Sequence, residues 1–226
     1  MTDDFSQTLL LTLSLAGLTT TILLVIGIPL AYWLAYGTFR LKPLIEAVVS
    51  LPLVLPPTVT GFYLLIAFSE DSMLGYWLVN TLGVRLNFTF SGILVGSLFY
   101  SLPFMVHPIQ AGFQNLPASL REASLTLGKS TLTTLGRVLL PNSKPALLSG
   151  IVLAFAHTIG EFGLVLMIGG NIPGKTRVAS IAIYDEVESL NYDRANAYAL
   201  ILLGMTFSIL VLLFWYNKKL RTRTFL

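Results

Sequence analysis

Two stretches of this 226-residue chain hold residue types that could do chemistry. The first is Gly169-Gly-Asn-Ile-Pro-Gly-Lys-Thr176, which satisfies the G-x-x-x-x-G-K-[ST] pattern of a nucleotide phosphate loop. In such a loop backbone N–H groups cradle the phosphates and the lysine reaches them. The second is the pair His157 and Glu161, four residues apart and so on one face of a helix. Neither pattern stands without the right surroundings. A phosphate loop lies between a strand and a helix of a soluble α/β domain, and Pro173 removes an N–H from the cradle. The chain has two histidines and no cysteine, too few ligands for a metal site within one subunit and none for thiolate chemistry. A nucleophile with a base and an orienting acid is not spelled out either, which leaves acid–base catalysis little to use.

The elements that would position these residues follow from composition. Charged residues make up 11% of the chain, against about 25% in a soluble domain. With 54% hydrophobic residues and a mean hydropathy of +0.77, the chain reads as a polytopic membrane protein. A net charge of +3 gives no reason to expect nucleic acid as a partner; the surrounding partner is membrane lipid. Five continuous apolar runs are long enough to cross a bilayer: Leu9–Tyr36, Ala47–Phe68, Gly92–Phe113, Ala146–Ile168 and Asn196–Tyr216. Their continuity predicts an all-α protein of about five transmembrane helices, since barrel strands would alternate over roughly ten residues. The first run is preceded by Asp3 and Asp4 rather than by basic residues, unlike a cleaved signal peptide. Residues 1–226 read as a single transmembrane domain.

Lysine and arginine orient it. With the N-terminus outside, the loops at 37–46 and 114–145 and the C-terminal tail are inside, and they hold ten of the 14 basic residues. That bias predicts a multi-pass protein of a cytoplasmic membrane, N-terminus out and C-terminus in. The phosphate-loop match then falls outside, away from ATP, and reads as a turn built by its glycines and proline. Lys175 and Arg177 in that turn could attract an oxyanion or contact an external protein. Glu161 lies within the fourth run, where acidic groups are costly. It reads first as an acceptor of hydrogen bonds where Gly160 and Gly163 loosen the helix; protonation or a role in a gate stays open. His157 could pair with it or be structural, and His107 reads as structural. Pro52, Pro56, Pro57 and Gly61 interrupt the second run, either as a kink or as the lining of a pathway.

The inner loop 114–145 carries the sharpest pattern. Its first half reads Gln114-Asn-Leu-Pro-Ala-Ser-Leu-Arg-Glu-Ala-Ser-Leu-Thr-Leu-Gly128. Ser119 and Glu122 are spaced as a capping box, Pro117 suits a first turn, and Gly128 suits a left-handed stop. The spacing predicts a short amphipathic helix, which either fits a groove on another protein or is simply a structured loop. Glu122-Ala-Ser124, then Gly128, then Val138-Leu-Leu-Pro141 after nine residues, resembles the EAA motif of bacterial ABC importer permeases, with Ser124 and Val138 as mild departures. Leu51-Pro-Leu-Val-Leu-Pro-Pro57, Gly160-Glu-Phe-Gly163 and Gly170-Asn-Ile-Pro-Gly-Lys-Thr176 are similar to molybdate permeases, the last two also to sulfate/thiosulfate permeases.

The resemblance implies a type I importer fold, in which this loop is a coupling helix docking on a cytoplasmic ABC ATPase through Arg121, Glu122, Ala123 and Gly128. It further implies a homodimer with the pathway between subunits and an external oxyanion-binding protein. No cofactor would be bound by the chain itself; ATP and Mg would be used by the ATPase subunit. Pro56, Pro57 and Glu161 are the candidates for pathway or gate. The cargo implied is molybdate, with sulfate, thiosulfate or tungstate as alternatives. An ion-coupled carrier or a membrane enzyme is the contrasting class.

Overall fold

The computed structural model describes residues 2–223, and 13 segments of helix follow one another along them. In order they are α1 (Thr2–Tyr36), α2 (Lys42–Val54), α3 (Pro57–Ala67), α4 (Met73–Leu82), α5 (Phe90–Gln114), α6 (Ala118–Thr126), α7 (Thr131–Thr134), a π-helical turn (Leu135–Leu139), α8 (Leu140–Asn142), α9 (Lys144–Gly160), α10 (Gly163–Gly169), α11 (Ala179–Glu188) and α12 (Tyr192–Arg223). Three of them, α1, α5 and α12, are each long and apolar enough to cross a membrane. The bent pairs α2–α3 and α7/α8–α9 raise the number to five if each pair makes one crossing.

Two of the expected continuous spans are broken. The run Ala47–Phe68 bends by 116° between α2 and α3. Leu55 is extended there, with ψ 136°, because the ring of Pro56 disfavours a helical residue before it. Pro57 restarts the helix at a position where a missing N–H costs nothing. The run Ala146–Ile168 stops at Gly160 and restarts at Gly163, with Glu161 extended between them. Backbone groups freed inside a bilayer must find partners, and both breaks supply them. The Tyr100 hydroxyl donates to the Leu55 carbonyl at 3.4 Å, and the Ser180 hydroxyl donates to the Glu161 carbonyl at 2.6 Å.

The bundle is organised around α5, which packs against α1, α2, α3, α9 and α10. More than half of the apolar window of α5 is buried, against 6% of that of α12, which places α12 on the outside. Between lipid-embedded helices, close packing replaces the hydrophobic effect as the main attraction, and small residues permit it. At Gly112 of α5 a Cβ would stand 2.3 Å from the Cβ of Ala146 on α9, so the two backbones meet because neither side chain extends further. At Gly61 of α3 a Cβ would meet the Leu164 Cα at 3.0 Å, which seats α3 against α10.

Candidate functional site

The 114–145 loop folds as a compact platform. Its helix α6 starts at Ala118 with Pro117 at the N-cap and no side-chain cap. The expected capping box is therefore absent: Ser119 lies inside the first turn, because Pro117 sets the entry. The stop is as expected. Gly128 has φ +71°, a conformation that costs other residues about 1–2 kcal/mol. The Lys129 and Gly128 N–H groups turn back onto the Ser124 and Leu125 carbonyls.

The helix has two faces. Glu122 and Ala123 are exposed on one, with Leu125 beside them. Leu127 at the end of α6 and Leu132 on α7 are exposed apolar side chains as well, 75% and 81% accessible. The other face holds Ser124, buried and hydrogen-bonded to the Thr134 hydroxyl at 2.9 Å, and the half-buried Arg121. Arg121 sits with its guanidinium carbon 4.9 Å from the centre of the Tyr36 ring.

A second site forms at the helix breaks. Pro57 and Thr58 of α3, Tyr100 of α5, and Ala156, His157, Gly160, Glu161, Phe162 and Gly163 around the α9–α10 break line a cavity of about 490 Å³. The fold thus brings Pro57 and Glu161 together. Glu161 is 5% exposed, and its Oε1 accepts a hydrogen bond from the Leu164 N–H at 3.2 Å. The carboxylate caps the first turn of α10, the acceptor role expected of it. His157 turns elsewhere: its Nδ1 is 3.0 Å from the Ser101 hydroxyl and its ring stacks on Phe104 at 3.9 Å. His107 meets the Ser50 hydroxyl at 3.1 Å through Nε2, joining α2 to α5. Among the described residues, no group of three His, Cys, Asp or Glu side chains could hold a metal ion. The lining is mainly apolar, and Thr58, Tyr100, His157 and Glu161 supply its polar side chains.

The Gly169–Thr176 turn is spent on itself. The N–H groups of Lys175, Thr176 and Arg177 all point to the Ile172 carbonyl, at 2.9–3.1 Å, rather than outward at a ligand. The Thr176 hydroxyl donates to the Gly169 carbonyl at 2.7 Å. Arg177 is engaged as well: its Nε donates to Asn171 at 2.8 Å and a terminal nitrogen lies 3.5 Å from the Asp185 carboxylate. Lys175 is exposed, and of the two basic residues it is the one turned to solvent. The partnership with Asp185 spans the loop and the C-terminal half of α11, which the sequence pattern did not reveal.

Residues 27–225 match the model of the family described as "Binding-protein-dependent transport system inner membrane component". The chain belongs to this family of transport proteins. This permease is 48% identical over 211 residues to the molybdenum transport system permease protein ModB of Azotobacter vinelandii, covering 92% of each chain. It is 35% identical over 193 residues to the sulfate transport system permease protein CysT of Escherichia coli K12, covering 85% of this chain and 68% of that one. In three dimensions it is similar to a chain of a bacterial ABC transporter involved in the import of the acidic polysaccharide alginate. The TM-score is 0.80 at 17% identity, over 97% of this chain and 80% of that one. The permease therefore has the ABC importer fold expected from its loop motif, and it is a multi-pass protein of the inner membrane.

Proposed function

We propose that this permease carries molybdate across the inner membrane in an ATP-driven importer. The observation that carries the choice of cargo is the 48% identity, over nearly the whole length, to a molybdenum permease, against 35% to a sulfate permease. The N-terminus lies outside and the C-terminus in the cytoplasm, in line with the excess of lysine and arginine in the 114–145 loop and the tail. The exposed face of α6, with Glu122, Ala123, Leu125 and Leu127, docks on a cytoplasmic ABC ATPase, which binds and hydrolyses the ATP with its Mg. Two copies of the chain enclose the pathway, because one bundle of about five crossings is too few to surround it. An external binding protein delivers the oxyanion, and Lys175 is the basic residue free to meet it or its cargo.

Movement follows alternating access. Closure of the ATPase dimer by ATP pushes α6, and the bundle opens outward; hydrolysis returns it inward. The cavity at Pro57, Thr58, Tyr100, His157 and Glu161 is the part of this chain that lines the route. The Thr58 hydroxyl and the free ring nitrogen of His157 can donate to a passing oxyanion, the Tyr100 hydroxyl being given to the Leu55 carbonyl, while the Glu161 carboxylate is turned to the Leu164 N–H.

A sulfate or thiosulfate cargo is the second reading, supported by the likeness to the sulfate permease; tungstate, nearly identical to molybdate in shape and charge, would travel with it. Labelled molybdate and sulfate uptake at low external concentration decides between them, in cells lacking the gene and in cells with it restored. Molybdate uptake that depends on the gene, with sulfate unchanged, is expected. Dependence of sulfate alone would replace the cargo, and dependence of neither would remove the proposal.

A further inference from the structure

We infer that Arg121 and Tyr36 form the joint through which a push on α6 reaches α1 and α5. This rests on α6 being the element that meets the ATPase. Three observations meet at one tyrosine. The Arg121 guanidinium lies over the Tyr36 ring, 4.9 Å from its centre. The Tyr36 hydroxyl donates to the Phe113 carbonyl at 2.8 Å, which fastens the last turn of α1 to the last turn of α5. Tyr32 and Phe113, a fully buried side chain, brace the same ring at 5.2 and 6.4 Å. Arg121 Nε is buried with no hydrogen-bond partner, and among the described residues the contact seen for its guanidinium is the Tyr36 ring.

The rest of α6 leads elsewhere. Its backbone packs on α7 and the π-helical turn, and its other buried tie, Ser124 to Thr134, ends in the same platform. Arg121 is thus a side chain that carries α6 past its own platform to the ends of two long spans. A guanidinium suits this place, because its flat face stacks on a ring and its charge never leaves; an ammonium keeps the charge without the flat contact. The assignment separates Arg121 from Glu122 and Ala123, its neighbours in the docking motif. They touch the ATPase, whereas Arg121 is a positioning residue that acts through Tyr36.

The test uses the permease with its ATPase subunit and binding protein in proteoliposomes, following ATP hydrolysis and molybdate uptake together. Arg121→Ala and Tyr36→Leu are expected to keep ATPase binding and hydrolysis while the molybdate moved per ATP falls about fivefold, the size of a cation–ring contact at a partly exposed site. Tyr36→Phe, which keeps the ring but loses the bond to the Phe113 carbonyl, should fall between the parent and Tyr36→Leu, and the double variant Arg121→Ala/Tyr36→Leu should be no worse than either single one. Glu122→Ala should lose ATPase binding instead. A spin label on Ala123→Cys in the permease alone reads the joint without any cargo. Arg121→Ala should make that label more mobile. Loss of ATPase binding by Arg121→Ala would overturn the inference, and so would unchanged coupling and unchanged label mobility in both single variants. A loosened label in a complex that moves no molybdate would support the joint and sink the cargo.

Discussion

The α6 platform and the cavity at the helix breaks are built in opposite ways. The platform is local: α6, α7 and the π-helical turn are consecutive, and its outward residues are exposed with little holding them. The cavity is assembled from α3, α5 and the α9–α10 junction, distant in sequence, and the polar groups of Tyr100, His157 and Glu161 are tied to backbone and side chains behind its wall. The difference teaches where function can be altered without cost to the fold. A surface that meets a partner can be changed side chain by side chain. A hollow between broken helices cannot, because the groups lining it also complete the backbone.

This contrast ranks the effects of substitutions on stability. The largest belongs to Gly61→Val, which places side-chain atoms where the Leu164 backbone and Met167 already are. Overpacking of this kind costs about 1–3 kcal/mol, and the purified protein should melt earlier in a detergent thermal scan and transport little. An unchanged melt would mean that α3 and α10 are not seated as described. Next comes Glu161. Removing its side chain in Glu161→Ala strands the buried Leu164 N–H, at about 1–3 kcal/mol. Glu161→Gln keeps an acceptor oxygen, so its melt should stay within about 0.5 kcal/mol of the parent. If Gln melted as early as Ala, the negative charge rather than the cap would be what α10 needs.

In the platform the changes are smaller. Gly128→Ala meets no neighbouring atom but must adopt φ +71°, so it should cost about 1 kcal/mol and shift the end of α6. Gly128→Asn, which tolerates that conformation better, should recover most of it; equal losses would point to something other than backbone strain. Smallest of all is Glu122→Ala, exposed and expected to leave the melt within about 0.5 kcal/mol while ATPase copurification falls. A destabilised fold with ATPase binding intact would reverse the comparison.

The same contrast explains what was legible in the sequence. The platform was readable because its motif is contiguous and its stop signal, Gly128, acts on its own backbone. Its direction was not. Nothing in the contiguous motif says which side turns inward, and Arg121 reads as solvent-facing until Tyr36 arrives from another helix. Pro56, Pro57 and Glu161 were each conspicuous as residues that do not belong in a straight span. That Pro57 and Glu161, but not Pro56, line one cavity follows only from the packing of α3 on α10, which depends on Gly61 and Gly163 and on no local pattern. Arg177 looked available for an anion because its acid, Asp185, sits on the next helix.

The most direct test uses the absence of native cysteine. Ala123→Cys introduces a single thiol on the exposed face of α6, to be labelled with a membrane-impermeant maleimide in right-side-out and inside-out vesicles, with and without the ATPase subunit. Labelling from the cytoplasmic side alone is expected, with protection when the ATPase is bound. Labelling from the outer side, or undiminished labelling in the assembled complex, would contradict it.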